Sequence, residues 1–145
     1  MKNLGVIAVL LLGTFFWLQE EGYLLPEGSG ETPFSTPLST PDSFDRSDSS
    51  QQVQGRGVVA RVLSDDNVGS RHQRFILELA SGQTVLVAHN IDLAPRVPSL
   101  RAGDVVEFYG EFEWNEQGGV VHWTHHDPNG RHPDGWLKAG GRTYQ

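Results

Sequence analysis

The chain has 145 residues, room for one domain once its ends are set aside, and it contains no cysteine. That excludes a disulfide framework, a thiolate metal site and a thiol nucleophile. The formal net charge of −7 excludes the basic footprint of a general nucleic-acid binder.

Lys2 precedes an uncharged run, Leu4 to Leu18, and Glu20 and Glu21 follow it. As a helix this run would extend about 22 Å, the length of a secretory apolar segment and short of a full bilayer span. No small-x-small cleavage pattern follows at the usual distance, and Phe15, Phe16, Trp17 and Tyr23 suit a membrane–water interface. Residues 1–23 therefore read as a signal anchor with Lys2 inside, the alternative being a cleaved signal peptide. Residues 24–54 interleave Pro26, Pro33, Pro37 and Pro41 with Ser, Thr, Gly and acidic residues. Such a segment buries too little apolar area to offset its chain entropy, so a disordered Pro/Ser/acidic linker is expected.

From Gly55 the pattern changes to period two, and residues 55–145 are expected to form one β domain. Val58 to Leu63 is a β-branched run ended by Ser64-Asp65-Asp66-Asn67. Phe75, Leu77 and Leu79 alternate with Arg74, Ile76 and Glu78, Ser81-Gly82 turns the chain, and Thr84 to His89 is a third strand. Pro95 and Pro98 leave the next segment room for a turn of helix at most. The clearest strand follows, with Val106, Phe108, Gly110, Phe112 and Trp114 on one face and Val105, Glu107, Tyr109, Glu111 and Glu113 on the other. Gly118-Gly119 turns the chain into a fifth strand, Val120 to His125. The fold class is all-β: a small five-stranded barrel of the oligonucleotide/oligosaccharide-binding (OB) type, preceded by an apolar helix and a disordered linker. A short antiparallel sandwich is the alternative. Gly110 is expected to mark a bend or bulge that lets its strand curl.

Four stretches carry a family likeness: Gly69-Ser-Arg-His-Gln-Arg-Phe-Ile-Leu77, His89-Asn-Ile-Asp-Leu-Ala-Pro-Arg96, Gly103-Asp104 with the strand after it, and His122-Trp-Thr-His-His-Asp-Pro128 through Gly135-Trp136. They resemble an uncharacterised bacterial family, domain of unknown function 3465, over about residues 55–145. The resemblance implies a small exported β domain and transfers no catalytic residue. A looser likeness links Ile91-Asp-Leu-Ala-Pro-Arg96 to the thermonuclease branch of the OB fold, with one extra residue and Arg96 where an acid should stand. The chain is expected outside the cytoplasm, in the periplasm, anchored to the inner membrane or secreted.

Four of the six histidines lie between His122 and Trp136. On a continuous strand, His122, Thr124 and His126 would share one face about 6.5–7 Å apart, and Asp127 and His132 could join them across the Pro128-Asn129-Gly130 turn. His122, His126, Asp127 and His132 are thus the candidate ligands of a divalent metal such as zinc, the one cofactor considered. The plainer reading has these side chains hydrogen-bonding to backbone and pinning a long loop. Arg74, with Arg71 and His72 beside it, is a candidate grip for phosphate or carboxylate, or else a partner for surface glutamates. His89 and Asp92 bracket a strand end, where His89 reads as a cap because no nucleophile completes a triad. Tyr109, Trp123, Trp136 and Tyr144 offer stacking surfaces for bases or sugars, or else loop packing, and His125 and Arg131 lie among them. Glu107, Glu111 and Glu113 form a carboxylate row that could serve acid–base or metal chemistry, or else a solvated strand face, the commoner outcome.

The ligand-binding candidates are then His72, Arg74, His89, Tyr109, Trp123, His125, Arg131 and Trp136. The expected function is a membrane-tethered OB-type binding module for single-stranded nucleic acid, an anionic glycan or an envelope partner protein. The alternative is a small metal-dependent phosphodiesterase built on the histidine cluster, with Arg74 holding the phosphoryl group.

Overall fold

The period-two runs form seven strands in a computed structural model that describes residues 41–145. They are β1 (Gln51–Val62), β2 (His72–Leu79), β3 (Thr84–Asn90), β4 (Val105–Glu113), β5 (Val120–His122), β6 (Trp136–Ala139) and β7 (Arg142–Tyr144). A 3-10 turn, Arg46–Asp48, precedes them, closed by a capping box between Asp45 and Asp48. The sheet runs β1-β2-β3-β5-β4 and returns to β1, which closes a five-stranded barrel. β3 and β5 are parallel and the remaining barrel pairs are antiparallel. This is the OB arrangement expected from the alternation.

β1 is long enough to serve two neighbours. Gln51 to Val58 pair with β4, and Gly57 to Val62 pair with β2. The handover needs a bend, and the register slips between Val59 and Arg61, so Ala60 is the extra residue of a bulge. Gly57 lies at the crossing, where a Cβ would come within 2.7 Å of the Glu78 carbonyl oxygen. Gly110, expected to bulge, does not: it stays in register opposite Val53. Its missing side chain instead admits β5, since a Cβ there would lie 2.5 Å from the His122 carbonyl oxygen.

Strict alternation in β2, β3 and β4 sends every second side chain inward. Phe75, Leu77, Val85, Val87, Val106, Phe108, Phe112, Val121 and Leu137 fill the interior with no exposed surface. Each such side chain contributes about 1.5–3 kcal/mol through burial.

The ordered domain begins before the boundary read from the sequence. Residues 41–54 read as linker by composition, yet β1 starts at Gln51 and Phe44 is buried, its ring 5.3 Å from that of Phe112. The Gln83 side chain holds Phe44 in place, accepting from its N–H at 2.7 Å and donating to its carbonyl at 2.9 Å. A single aromatic in a polar segment has no periodicity, so composition alone conceals it. The apolar segment 1–23 and linker residues 24–40 lie outside the described residues.

Candidate functional site

The fifth strand of the barrel is built in two pieces. Glu111 pairs with His122 on β5, and Tyr109, two residues back along β4, pairs with Trp136 on β6. Residues 123–135 are therefore an excursion spliced into one strand. Its neck is tight: Gly135 N–H donates to the His125 carbonyl at 2.9 Å, and a Cβ on Gly135 would lie 1.9 Å from the Trp123 carbonyl oxygen. The excursion starts at Trp123, whose φ of 55° ends the strand at His122. The expected strand through His125 is thus cut short. Thr124 and His125 turn inward and are buried, while His126 turns outward. A bulky residue in the left-handed region costs about 1–3 kcal/mol. Stacking offsets part of that, because the Trp123 ring lies on the His132 ring at 4.0 Å and 11°.

His132 is the centre of the excursion's polar contacts. Its Nδ1 faces the Pro133 carbonyl at 2.9 Å and its Nε2 faces a Glu111 carboxylate oxygen at 2.6 Å. Both partners accept, so both ring nitrogens donate and the ring is an imidazolium. Desolvation pulls its pKa down, but the hydrogen bonds to Glu111 and Pro133 and the nearby carboxylates outweigh that, and the net shift is upward. Glu111 is held below the ordinary carboxylate range, first by the His132 hydrogen bond. The other Glu111 oxygen stands 3.5 Å from His122 Nε2, a buried atom with no hydrogen-bond partner. Desolvation lowers the pKa of His122, against the pull of Glu111 and Glu113.

These groups form an ordered row. The registers place Gln52, Glu111 and His122 side by side across β1, β4 and β5. Both amide atoms of Gln52 are buried without a partner. Glu113, next along the same face, accepts from the Ser49 and Ser50 hydroxyls at 3.1 Å each. One ligand atom each from Glu111, Glu113 and His122 lies within 4.8 Å of the others, the group that the described residues bring together for an ion.

The metal set drawn from the sequence is therefore divided. His122 and His132 both reach Glu111, whereas His126 Nδ1 pairs with Asp134 at 3.0 Å. The Asp127 carboxylate caps the loop, accepting from the backbone N–H groups of Asn129, Arg131 and His132. Those bonds, the Asn129 one first, hold its pKa below the usual range.

Two candidate histidines are internal braces. His89 has no exposed surface; its Nε2–H donates to the Pro95 carbonyl at 3.0 Å, and its Nδ1 accepts from the Thr124 hydroxyl at 2.8 Å. It thereby ties β3 to the proline segment and to the excursion. Burial pushes its pKa down to about 4 despite the hydrogen bond to Pro95. His125 Nδ1–H donates to the His126 carbonyl at 2.7 Å. Gln73, which the sequence reading passed over, is 3 % exposed and makes two 2.9 Å bonds to the Val97 backbone.

The basic candidates are largely engaged. Arg74 Nε donates to the Ser64 carbonyl at 3.0 Å, His72 Nδ1–H to the Ser70 carbonyl at 2.8 Å, and Arg71 pairs with Asp92 at 2.7 Å. Arg96 pairs with Asp65, and the Arg131 residue is exposed on the excursion. Tyr109 and Trp136 lie side by side below the neck, centroids 6.2 Å apart, with Lys138 Nζ 4.4 Å above the Trp136 ring.

Residues 33–145 match the family described as "Protein of unknown function (DUF3465)". The chain belongs to the DUF3465 family. No curated protein and no solved structure matches it. Within this DUF3465 domain Glu111, seen from the sequence only as part of a carboxylate row and left out of the metal set, is the hub of the contacts, and its row neighbour Gln52 carried no sequence signal. Gln52 falls in the stretch read as linker, and the signal that lifts Glu111 out of a solvated strand face is the register opposite His122.

Proposed function

We propose that this DUF3465 protein is an exported, membrane-tethered binding module of OB type whose ligand is a partner protein. The supporting observation is the charge of the face beside the excursion. Glu107, Glu111 and Glu113 share the outer side of β4 with Tyr109, and Trp136 and Lys138 adjoin it on β6. A carboxylate row repels a polyanion, while Arg71, Arg74 and Arg96 are occupied by contacts within the chain. Aromatic rings beside charged groups suit a polar protein surface. Export and tethering rest on the uncharged run Leu4–Leu18 and on the Pro/Ser spacer after it.

The test is a titration of the full chain with oligo(dT) and with a sulfated glycan at low salt, read by tryptophan fluorescence. Neither is expected to give a saturable change. Saturable binding lost on Trp136→Ala would replace this reading with the nucleic-acid or glycan one. A reporter active only outside the cytoplasm, fused after Gln145, is expected to be active, and a silent fusion would remove the export reading. The phosphodiesterase alternative has less support, because of its ligand set His126 pairs with Asp134 and Asp127 is committed to backbone N–H groups, while Arg74 donates to the Ser64 carbonyl.

A further inference from the structure

We propose that the outer face of the barrel binds one divalent transition ion of the zinc class, held by His122 Nε2 and the carboxylates of Glu111 and Glu113. The donors come from adjacent strands, so the barrel's own hydrogen bonding fixes their spacing. They lie within 4.8 Å of one another. Around a tetrahedral zinc, donors sit about 3.4 Å apart, given bond lengths near 2.0–2.2 Å. Side-chain rotations of about an ångström close that difference.

The second line of support is the concentration of unpartnered atoms. His122 Nε2 and both amide atoms of Gln52 are buried without hydrogen bonds, and the two residues flank Glu111 in one row. A buried polar atom left unsatisfied is destabilising, because it has given up its water without gaining a partner. A cation bound to His122 Nε2 and beside the Gln52 carbonyl oxygen satisfies two of the three. Around these ligands stands an orienting shell of the kind metal sites use. His132 donates to the Glu111 oxygen that His122 does not face, and Ser49 and Ser50 donate to Glu113. One imidazole and two carboxylates, with no thiolate available, select zinc and its neighbours over soft ions, and the nitrogen donor disfavours calcium and magnesium. Three protein ligands leave a fourth position open. The inference does not depend on the partner-protein reading, since the ion is held by this chain alone.

The experiment uses the full chain, stripped with chelator and titrated with zinc chloride by calorimetry, with elemental analysis of the dialysed product. One equivalent is expected, with a rise in Tm. His122→Ala is expected to abolish that equivalent, and His132→Ala to weaken binding about 10–100-fold while keeping the stoichiometry, as for other groups that orient a ligand. His126→Ala should leave binding unchanged. Should His122→Ala fail to fold, Glu113→Gln carries the same expectation of lost binding. No binding by the wild type at 100-fold excess zinc overturns the proposal, as does an equivalent that survives both His122→Ala and Glu113→Gln. Polyanion titrations that stay silent with and without zinc would leave the partner reading intact whichever way the metal result falls.

Discussion

His89 makes the domain acid-labile, by an amount that follows from its burial. In the unfolded chain its pKa returns to the ordinary 6.5 of a histidine, whereas in the barrel burial pushes it down to about 4. Between these values the unfolded state binds a proton that the folded state refuses, so stability rises with pH across this window and is lost as pH falls through it. The full effect is about 3 kcal/mol, and between pH 7 and pH 5 the loss is about 2 kcal/mol. That is a substantial part of the 5–15 kcal/mol typical of a domain. Protonation would set an N–H at Nδ1 against a Thr124 hydroxyl that now donates to it, in a site with no access to water. His132 titrates in the opposite sense, so the comparison must be with a variant. His89→Gln removes the titration and keeps a donor for the Pro95 carbonyl. Urea unfolding followed by tryptophan fluorescence at pH 7 and pH 5 should show the stability gap between wild type and His89→Gln changing by about 2 kcal/mol against the wild type. Parallel pH dependences would refute the assignment of a neutral, buried His89.

Phe44→Ala should cost about 3–5 kcal/mol in the same urea assay, because it empties an aromatic site between Phe108 and Phe112; a loss under 1 kcal/mol would return residues 41–50 to the linker. Gly135→Ala forces a Cβ toward the Trp123 and Tyr109 carbonyl oxygens, at 1.9 and 2.5 Å, so the neck must open. It is expected to cost at least about 2 kcal/mol and to alter Trp123 fluorescence, and a silent variant would mean the neck is not closed. Glu111→Gln removes the carboxylate that raises the His132 pKa. The His132 ring should then titrate at lower pH by NMR, and the stability His132 contributes below its unfolded pKa should shrink. An unchanged midpoint would show that the contact is not formed.

The barrel was legible because its signal is local. Alternation in β4 alone placed Phe108 and Phe112 inside and Glu107, Glu111 and Glu113 outside, as observed. The site was less so because it depends on pairing between strands. That Glu111 stands between Gln52 and His122 follows from two registers, and nothing in the sequence around Glu111 specifies either. The end of β5 was missed for a different reason. Val120 to His125 reads as strand by composition, and only the backbone turn at Trp123 ends the pairing and buries Thr124, which alternation would have put beside His122. A left-handed tryptophan has no sequence signature, whereas a glycine there would have flagged the turn. The histidine cluster was visible as a cluster, but its members' partners were not: Asp134 for His126 and Glu111 for His132 are fixed by how the excursion folds.

The partners also assign each ring a protonation state, and those states give the face its charge. His89 sits between a carbonyl that must accept and a hydroxyl that can donate, so it is neutral. His132 sits between two acceptors, so it is a cation, and it pairs with the Glu111 carboxylate. Glu113 accepts from the Ser49 and Ser50 hydroxyls and has no cation of its own beside it among those contacts. His122 has Nε2 facing a carboxylate without bonding to it, and desolvation favours its neutral form. Glu111 and Glu113 therefore present their oxygens beside an imidazole nitrogen that has no hydrogen-bond partner. A proton answers that arrangement poorly, because taking it charges a partly buried ring. A divalent ion answers it well, since it meets both carboxylates and the lone pair at once while the His132 imidazolium remains on the far Glu111 oxygen.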